Sequence, residues 1–186
     1  GDSIHLMSDD DILLPEAIDY VLELIEKEQP DYINLNSVMF LNSLDEINDA
    51  SSPRIQLKDN QDILTNNLTE VLSYVGVYIT FLSATIVRRK NLDLDNNPEQ
   101  YYGTYFIHAH LVLNSLSGTD KKMIVTKVPF LAARMNNSGG FNLYEVWVHQ
   151  YKNLLLNTAV RNGADNHVMS DIFLNDIKGF IKDSIV

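Results

Sequence analysis

Three consecutive aspartates, Asp9, Asp10 and Asp11, are the residues of this 186-residue chain with the clearest capacity for chemistry. They follow an apolar run that ends at Met7, and they precede Pro15, which fits the first turn of a helix. Carboxylates this close together raise each other's pKa unless a cation neutralises them. Mg²⁺ and Mn²⁺ prefer such oxygen ligands and leave positions open for substrate phosphates. The pattern predicts a divalent-metal site on a strand-to-helix loop; the alternative is a solvated acidic turn that caps the helix.

Two histidines and two arginines are further candidates for a functional site. His108 and His110 are two residues apart, and histidine is the side chain best suited to proton transfer near neutral pH. The alternative is one surface histidine and one packed histidine. Arg88 and Arg89 close an apolar segment in an acidic chain and could bind phosphate. A solvated strand end is an equally good explanation of that pair.

Composition limits the classes of function that remain. The chain is 45% hydrophobic and 21% charged, which is typical of a globular domain. Lys and Arg number 14 against 25 Asp and Glu, so the formal net charge is −11 and nucleic-acid binding is disfavoured. There is no cysteine, which excludes disulfides and thiolate metal sites. No apolar run approaches the roughly 20 residues of a membrane-spanning helix.

Periodicity predicts how the chain positions these residues. Apolar and β-forming runs predict strands ending near Met7 and over 31–40, 77–87 and 123–130, with the first of them buried. Helical spacing predicts helices over 15–28, 67–74, 107–116, 143–160 and 167–185. The polar stretches 41–62, 91–98 and 136–140 are predicted loops, and the first is long enough to suggest a function. Trp147 and Tyr151 are four residues apart on a helix, a spacing more typical of core aromatics than of a sugar platform. Alternating strands and helices indicate a single α/β domain over 1–186, with a helical extension over 143–186.

Four segments, in order and spacing, resemble the family 2 glycosyltransferases, which have the GT-A fold. Leu6 to Leu13 with the following Pro15 looks like that family's metal-binding DxD loop and the helix after it. Asp31 to Asn36 is similar to the next strand, and Phe81 to Arg89 resembles the acceptor-side strand with its basic end. Gly103 to His108 falls where many members carry the catalytic base. The abequosyltransferase-like subgroup is the most similar.

The resemblance implies a GT-A-like mixed sheet flanked by helices and an inverting sugar transfer that depends on Mn²⁺ or Mg²⁺. Asp9 and Asp11 would hold the ion with help from Asp10. The base position falls on His108, because the family's Glu-Asp pair is absent here; Asp93, Asp95 and Glu99 are alternatives. The implied substrate contacts are Arg88, Arg89, Ser83 and His110.

The family's N-terminal half, which holds the nucleotide, has no counterpart in these 186 residues. We therefore expect an exposed sheet edge that pairs with a second copy or is covered by a helix after Leu143, and no detectable transfer by this chain alone. The expected ligands are a nucleotide-sugar donor and a saccharide or lipid-linked acceptor of surface polysaccharide or O-antigen synthesis. That activity would place the protein in the cytoplasm or at the inner face of the membrane. An Asp-dependent phosphohydrolase and a non-catalytic assembly module are the alternatives.

Overall fold

A six-stranded mixed sheet forms the centre of the molecule. The computed structural model describes residues 1–41, 43–47, 52–59, 61–92, 98–135 and 142–184. Its strands are β1 Ser3–His5, β2 Ile12–Leu13, β3 Tyr32–Phe40, β4 Ile63–Thr65, β5 Thr85–Arg88 and β6 Met123–Arg134. β3 pairs in parallel with β6 and antiparallel with β5, and β1 pairs antiparallel with β5. β4 and β2 pair antiparallel with the first and second parts of β6. The predicted α/β fold class is confirmed.

Helices cover both faces of this sheet. They are α1 Ala17–Glu28, α2 Leu68–Val75, α3 Ile107–Ser115, the helical segment 143–161 (α4) and α5 Asn166–Ser184. Side chains alternate between the faces of a strand, so Ile33 and Leu35 pack toward α1 while Tyr32 belongs to the larger core beneath α2 to α5. β3 is thus buried on both faces. Among the described residues, no helix combines the length and the apolar character needed to cross a membrane.

Most predicted elements are present, but the strand predicted over 77–87 is largely wrong. Gly76–Thr80 and Leu82–Ala84 are 3₁₀ turns, and the strand begins only at Thr85. In this segment Ile79 is buried in the core while Tyr78 and Phe81 line a cleft. The segment is rich in β-branched and aromatic residues because it is packed on two sides, and packing is what β-propensity measures.

The expectation of a buried first strand is also wrong. β1 ends at His5, and Leu6 and Met7 are 37% and 38% exposed. The reason is that β1 lies at the end of the sheet order, with β5 as its strand partner among the described residues. The apolar side chains of Ile12, Ile18 and Leu22, near the same end of the chain, are exposed as well.

The exposed edge of β1 predicts concentration-dependent association of this chain. Leu6→Lys should weaken that association, because a lysine beside a sheet edge opposes pairing with a second strand. Sedimentation velocity over a concentration series measures the effect. Leu174→Lys is the matched control, since Leu174 is 51% exposed on α5. A wild-type chain that stays monomeric throughout the series would contradict the prediction.

Asp31 joins three strands at the edge of the sheet opposite the aspartate loop. Its carboxylate accepts hydrogen bonds from Asn91 Nδ2 at 2.7 Å and from Lys122 N at 2.9 Å, and it lies 3.9 Å from Arg88 Nε. Burial favours the neutral acid, but the hydrogen bonds from Asn91 and Lys122 and the charge of Arg88 outweigh it. The pKa of Asp31 is therefore lowered below 3.8.

Replacing Asp31 with Asn should reduce the free energy of unfolding at pH 7 by about 2 kcal/mol, since hydrogen bonds to a charged group are lost. A carboxyl group with a lowered pKa stabilises the fold above its unfolded pKa and loses that effect as pH falls through its folded pKa. The difference between wild type and Asp31→Asn should therefore shrink toward pH 3. Urea unfolding at both pH values measures it. The exposed Asp59→Asn variant is the control and should match wild type.

Candidate active site

A cleft of about 490 Å³ opens at one edge of the sheet. β1, β3 and β6 point the same way, so their carboxyl ends meet at this edge, together with the amino end of the antiparallel β5. Ligand sites of open α/β sheets commonly lie outside the carboxyl ends of strands. The polar and charged residues of the lining are Ser8, Asp10, Asp11, Ser37, Arg54, Tyr78, Thr80 and Arg134.

Asp11 links the aspartate loop by hydrogen bonds to the end of β6 and to the Leu82–Ala84 turn that precedes β5. Ser83 Oγ donates to Asp11 Oδ2 at 2.6 Å, and the Arg134 N–H donates to Asp11 Oδ1 at 3.2 Å. The Ser8 N–H donates to the same Ser83 hydroxyl at 2.9 Å, and His5 Nε2 lies 2.7 Å from the Ser83 carbonyl oxygen. Ser83 is fully buried. It therefore positions the loop from beneath, a different role from the substrate contact that the resemblance implied.

Asp10 and Asp11 line the cleft, whereas Asp9 is exposed and lies outside the lining. Burial raises the pKa of Asp11, and the neighbouring Asp10 raises it further, against the lowering effect of the bonds from Ser83 and Arg134. The structure thus brings two of the three predicted metal ligands to the cleft.

A divalent ion fits this donor set as an open site. Each oxygen of Asp11 already accepts one hydrogen bond and retains a second lone pair, and Asp10 adds another carboxylate. Oxygen donors of this kind suit Mg²⁺ or Mn²⁺. No group of three or more His, Cys, Asp or Glu side chains converges to hold a metal among the described residues. Two carboxylates alone leave most of the coordination sphere to water and substrate phosphates.

The predicted phosphate contacts Arg88 and Arg89 lie away from the cleft. β5 runs antiparallel to β3, so its carboxyl end is at the opposite edge of the sheet. There Arg88 approaches Asp31 and donates to the carbonyl of Gln29 at the end of α1. Arg89 is exposed, and its backbone N–H donates to the Asp2 carbonyl at 2.8 Å. Both arginines are outside the cleft lining because strand direction decides which end of a strand meets the site.

Two other arginines, Arg54 and Arg134, supply positive charge to the cleft. Arg54 comes from the long segment 41–62, which the sequence marked as functional without indicating a residue. Its Nη1 donates to the Tyr78 hydroxyl at 3.2 Å, and its guanidinium carbon lies 5.4 Å from the Tyr78 ring centre. Arg134 is the last residue of β6. The sequence signal that could have identified Arg134 is its position at the end of a strand, β6, that is parallel to the central strand β3.

His108 lies behind the cleft wall. Its Nε2 is 2.9 Å from the carbonyl oxygen of Thr80, a lining residue. A carbonyl oxygen only accepts, so Nε2 carries the proton and Nδ1 remains as the basic nitrogen. Burial lowers the pKa of His108, so the ring is neutral at pH 7. Of the alternative bases, Glu99 is exposed, and Asp93 and Asp95 lie outside the described residues.

His110 is a packed histidine with no exposed surface. It stacks on Tyr101 with ring centres 4.4 Å apart, and its Nδ1 is 2.8 Å from Thr158 Oγ1. Burial, with smaller contributions from Arg161 and His108, lowers its pKa to about 4. His110 is outside the cleft lining, as a core histidine would be.

Four aromatic residues, which we call the aromatic wall, also line the cleft. Its members are Tyr78, Phe81, Phe106 and Trp147. Trp147 packs against Phe106, with ring centres 5.4 Å apart, and against Tyr151 at 6.2 Å. Tyr151 is fully buried, as predicted for a core aromatic, whereas Trp147 reaches both the core and the cleft. These aromatic residues are suited to contact the apolar faces of a sugar or a base.

Comparison with known proteins shows which solved structures share this fold. No protein-family model and no curated protein matches the chain. Solved structures of S. aureus TarS do match. TarS 1–349 in complex with UDP-GlcNAc aligns with a TM-score of 0.53 and 13% identity, covering 93% of this chain and 47% of that chain. TarS 1–349 in complex with UDP gives a TM-score of 0.54 and 15% identity, covering 93% and 45%.

The likeness to TarS establishes the fold class at these identities. The chain therefore shares the mixed α/β fold of TarS 1–349 and spans about half the length of that chain. The fold expected from the resemblance is supported, and the comparisons single out no abequosyltransferase.

Asp10→Asn and Asp11→Asn should each weaken Mn²⁺ binding, measured by calorimetry with UDP present. Asp9→Asn is the matched control and should bind like wild type, because Asp9 lies outside the cleft. A proton competes with a metal for a carboxylate. The raised pKa of Asp11 means that wild-type binding should begin to weaken at a higher pH than an ordinary aspartate would allow. Equal affinity in all three variants would remove the metal from the cleft.

Proposed function

We propose that this chain is the metal-binding and acceptor-side part of an inverting glycosyltransferase. It would transfer a sugar from a nucleoside diphosphate to a hydroxyl group of a saccharide or lipid-linked saccharide, in the synthesis of a surface polysaccharide such as O-antigen. The observation that carries the proposal is the position of Asp10 and Asp11, which line a cleft at the carboxyl ends of the strands. The fold shared with TarS, crystallised with UDP-GlcNAc, supports it.

Two groups of cleft residues would serve the reaction. Asp10 and Asp11 would hold Mn²⁺ or Mg²⁺, which would supply positive charge to offset that of a departing diphosphate. The aromatic wall would orient the sugar. The acceptor hydroxyl oxygen forms a bond to the anomeric carbon while the bond from that carbon to the diphosphate breaks. The hydroxyl proton passes to a base, and attack opposite the leaving group inverts the anomeric centre.

Nucleotide binding tests this proposal most directly. Titration of UDP and UDP-GlcNAc into the chain in the presence of Mn²⁺ should give binding that Asp10→Asn weakens. The same titrations on the longest natural form of the protein that contains this chain, with a transfer assay, establish turnover. The chain alone is expected to bind weakly and to transfer no sugar. If neither form binds a nucleotide, the transferase proposal fails in favour of an assembly module.

The phosphohydrolase alternative requires an aspartate oxygen free to attack phosphorus. An aspartyl-phosphate trapped on Asp10 or Asp11 after incubation with a phosphate ester would favour the phosphohydrolase instead. Turnover of a nucleotide-sugar without such an adduct would favour the transferase.

The resemblance makes His108 the predicted base, and a pH profile can test that role. In the longest natural form of the protein that contains this chain, kcat/KM should fall only at a pH below that at which an ordinary histidine is protonated, because burial lowers the pKa of His108. His108→Gln should remove this acid limb and reduce turnover roughly 10²–10⁴-fold. His149→Gln is the control, because the His149 side chain is 72% exposed on α4. Unchanged turnover and an unchanged profile in His108→Gln would make His108 structural.

A further inference from the structure

Arg54 has a charge that no described carboxylate neutralises. Arg88, by contrast, lies against Asp31, and Lys122 pairs with Glu28 at 3.1 Å. No ion pair within 4 Å involves Arg54 or Arg134 among the described residues. In a chain with a net charge of −11, an arginine that lines a cleft without such a pair is a candidate for binding an anion.

The backbone at Arg54 and at the next residue, Ile55, is hydrogen-bonded to β3. The Arg54 N–H donates to the Ser37 carbonyl at 2.8 Å. Next along the chain, the Ile55 N–H donates to Asn36 Oδ1 at 2.9 Å, and Asn36 Nδ2 donates to the Ile55 carbonyl at 2.8 Å. Asn36 and Ile55 are both buried. The side chain of Arg54 therefore starts from a fixed point, even though it belongs to a long connection.

Tyr78 holds the guanidinium while leaving most of its donors available. The hydrogen bond from Nη1 to the Tyr78 hydroxyl uses one of five N–H groups, and the ring lies beneath the charge. Arg54 itself is exposed to solvent. A planar guanidinium that is exposed and has most of its donors available is suited to bind two oxygens of a phosphate at once. Arg134, on the same cleft, can add a second positive charge.

We propose that Arg54 is a phosphate-binding residue, pre-oriented by Tyr78 and Asn36, with Arg134 assisting. The proposal deepens the proposed function and rests on it for the identity of the ligand. A phosphate in this cleft can come from the diphosphate of the nucleotide-sugar donor or from a phosphorylated acceptor. The guanidinium would offset the repulsion that Asp10 and Asp11 exert on any anion bound in the cleft.

Two probes, each with a matched neutral compound, distinguish these sources. UDP is compared with uridine, and glycerol 3-phosphate with glycerol, by calorimetry in the presence of Mg²⁺. Arg54→Gln removes the charge but keeps a donor, and it should weaken binding of a phosphate-bearing probe roughly 10–100-fold, as expected for lost charge-assisted hydrogen bonds. Arg54→Lys should recover part of the affinity. Arg89→Gln is the control with the same change of charge at the opposite edge of the sheet.

Each outcome decides something. Weakening confined to UDP assigns Arg54 to the donor diphosphate, and weakening confined to glycerol 3-phosphate assigns it to the acceptor. Wild-type affinity in Arg54→Gln, or no binding of either phosphate by the wild-type chain, would overturn the proposal.

Thermal unfolding checks that the variant is folded, and Tyr78→Phe, which keeps the ring, should cost less affinity than Arg54→Gln. If phosphate binding depends on Arg54 but the longest natural form of the protein shows no transfer activity, this site is retained and the transferase proposal is discarded.

Discussion

The central strand pair depends on one buried amide, that of Asn36. The register between β3 and β6 shifts on both sides of Asn36, which is opposite Pro129, and proline has no N–H to give to the ladder. Asn36 compensates: its backbone N–H donates to Thr126 Oγ1 at 2.8 Å, and its side chain bonds the backbones of Ile55 and Lys127. A buried polar group whose bonds are satisfied permits few arrangements of its neighbours. The irregularity in the sheet and the segment that carries Arg54 are therefore fixed together.

A second polar bridge completes the site from the other side. Asp11 connects the aspartate loop to the end of β6 through the Arg134 backbone and, through Ser83, to the Leu82–Ala84 turn that precedes β5. Asn36 and Asp11 thus connect β3, β6, two loops and this turn around one cleft. Both bridges use side-chain oxygens to satisfy backbone or hydroxyl donors that regular strand pairing does not reach. The cleft residues are positioned by these polar groups as much as by apolar packing.

Local signals explain what could be predicted from the sequence. α1 has an apolar stripe and α2 begins at Asn67, whose side chain caps the helix by accepting from Thr69 N and Glu70 N. Such features lie within one element, so pattern alone locates them. A strand-to-helix loop was predicted at the aspartates for the same reason, but the loop joins two strands, β1 and β2, because the short β2 precedes α1. Which of Asp9, Asp10 and Asp11 faces the cleft depends on turn geometry and on Ser83, which is more than 70 residues away in sequence.

Pairing partners explain what could not be predicted. Nothing within 85–90 indicates that β5 runs antiparallel to β3, so Arg88 and Arg89 looked like site residues. The apolar composition of 77–84 is shared by strands and by 3₁₀ turns packed on a core, and only tertiary contacts separate the two. Arg54 was hidden because its position is set by Asn36 across the sheet, in a loop without periodicity.

The aromatic series in α4 gives the molecule an internal optical reporter. Two stretches of α4, Tyr144–Gln150 and Leu154–Ala159, are π-helical. Phe106, Trp147, Tyr151 and Phe173 form a run of ring contacts from the cleft wall into the core. Trp147 is the single tryptophan of the chain and the member of this run that lies at the boundary between solvent and core. The tryptophan fluorescence of the protein therefore comes from this one residue. A change of polarity in the cleft should shift the emission spectrum of Trp147, so no added label is needed.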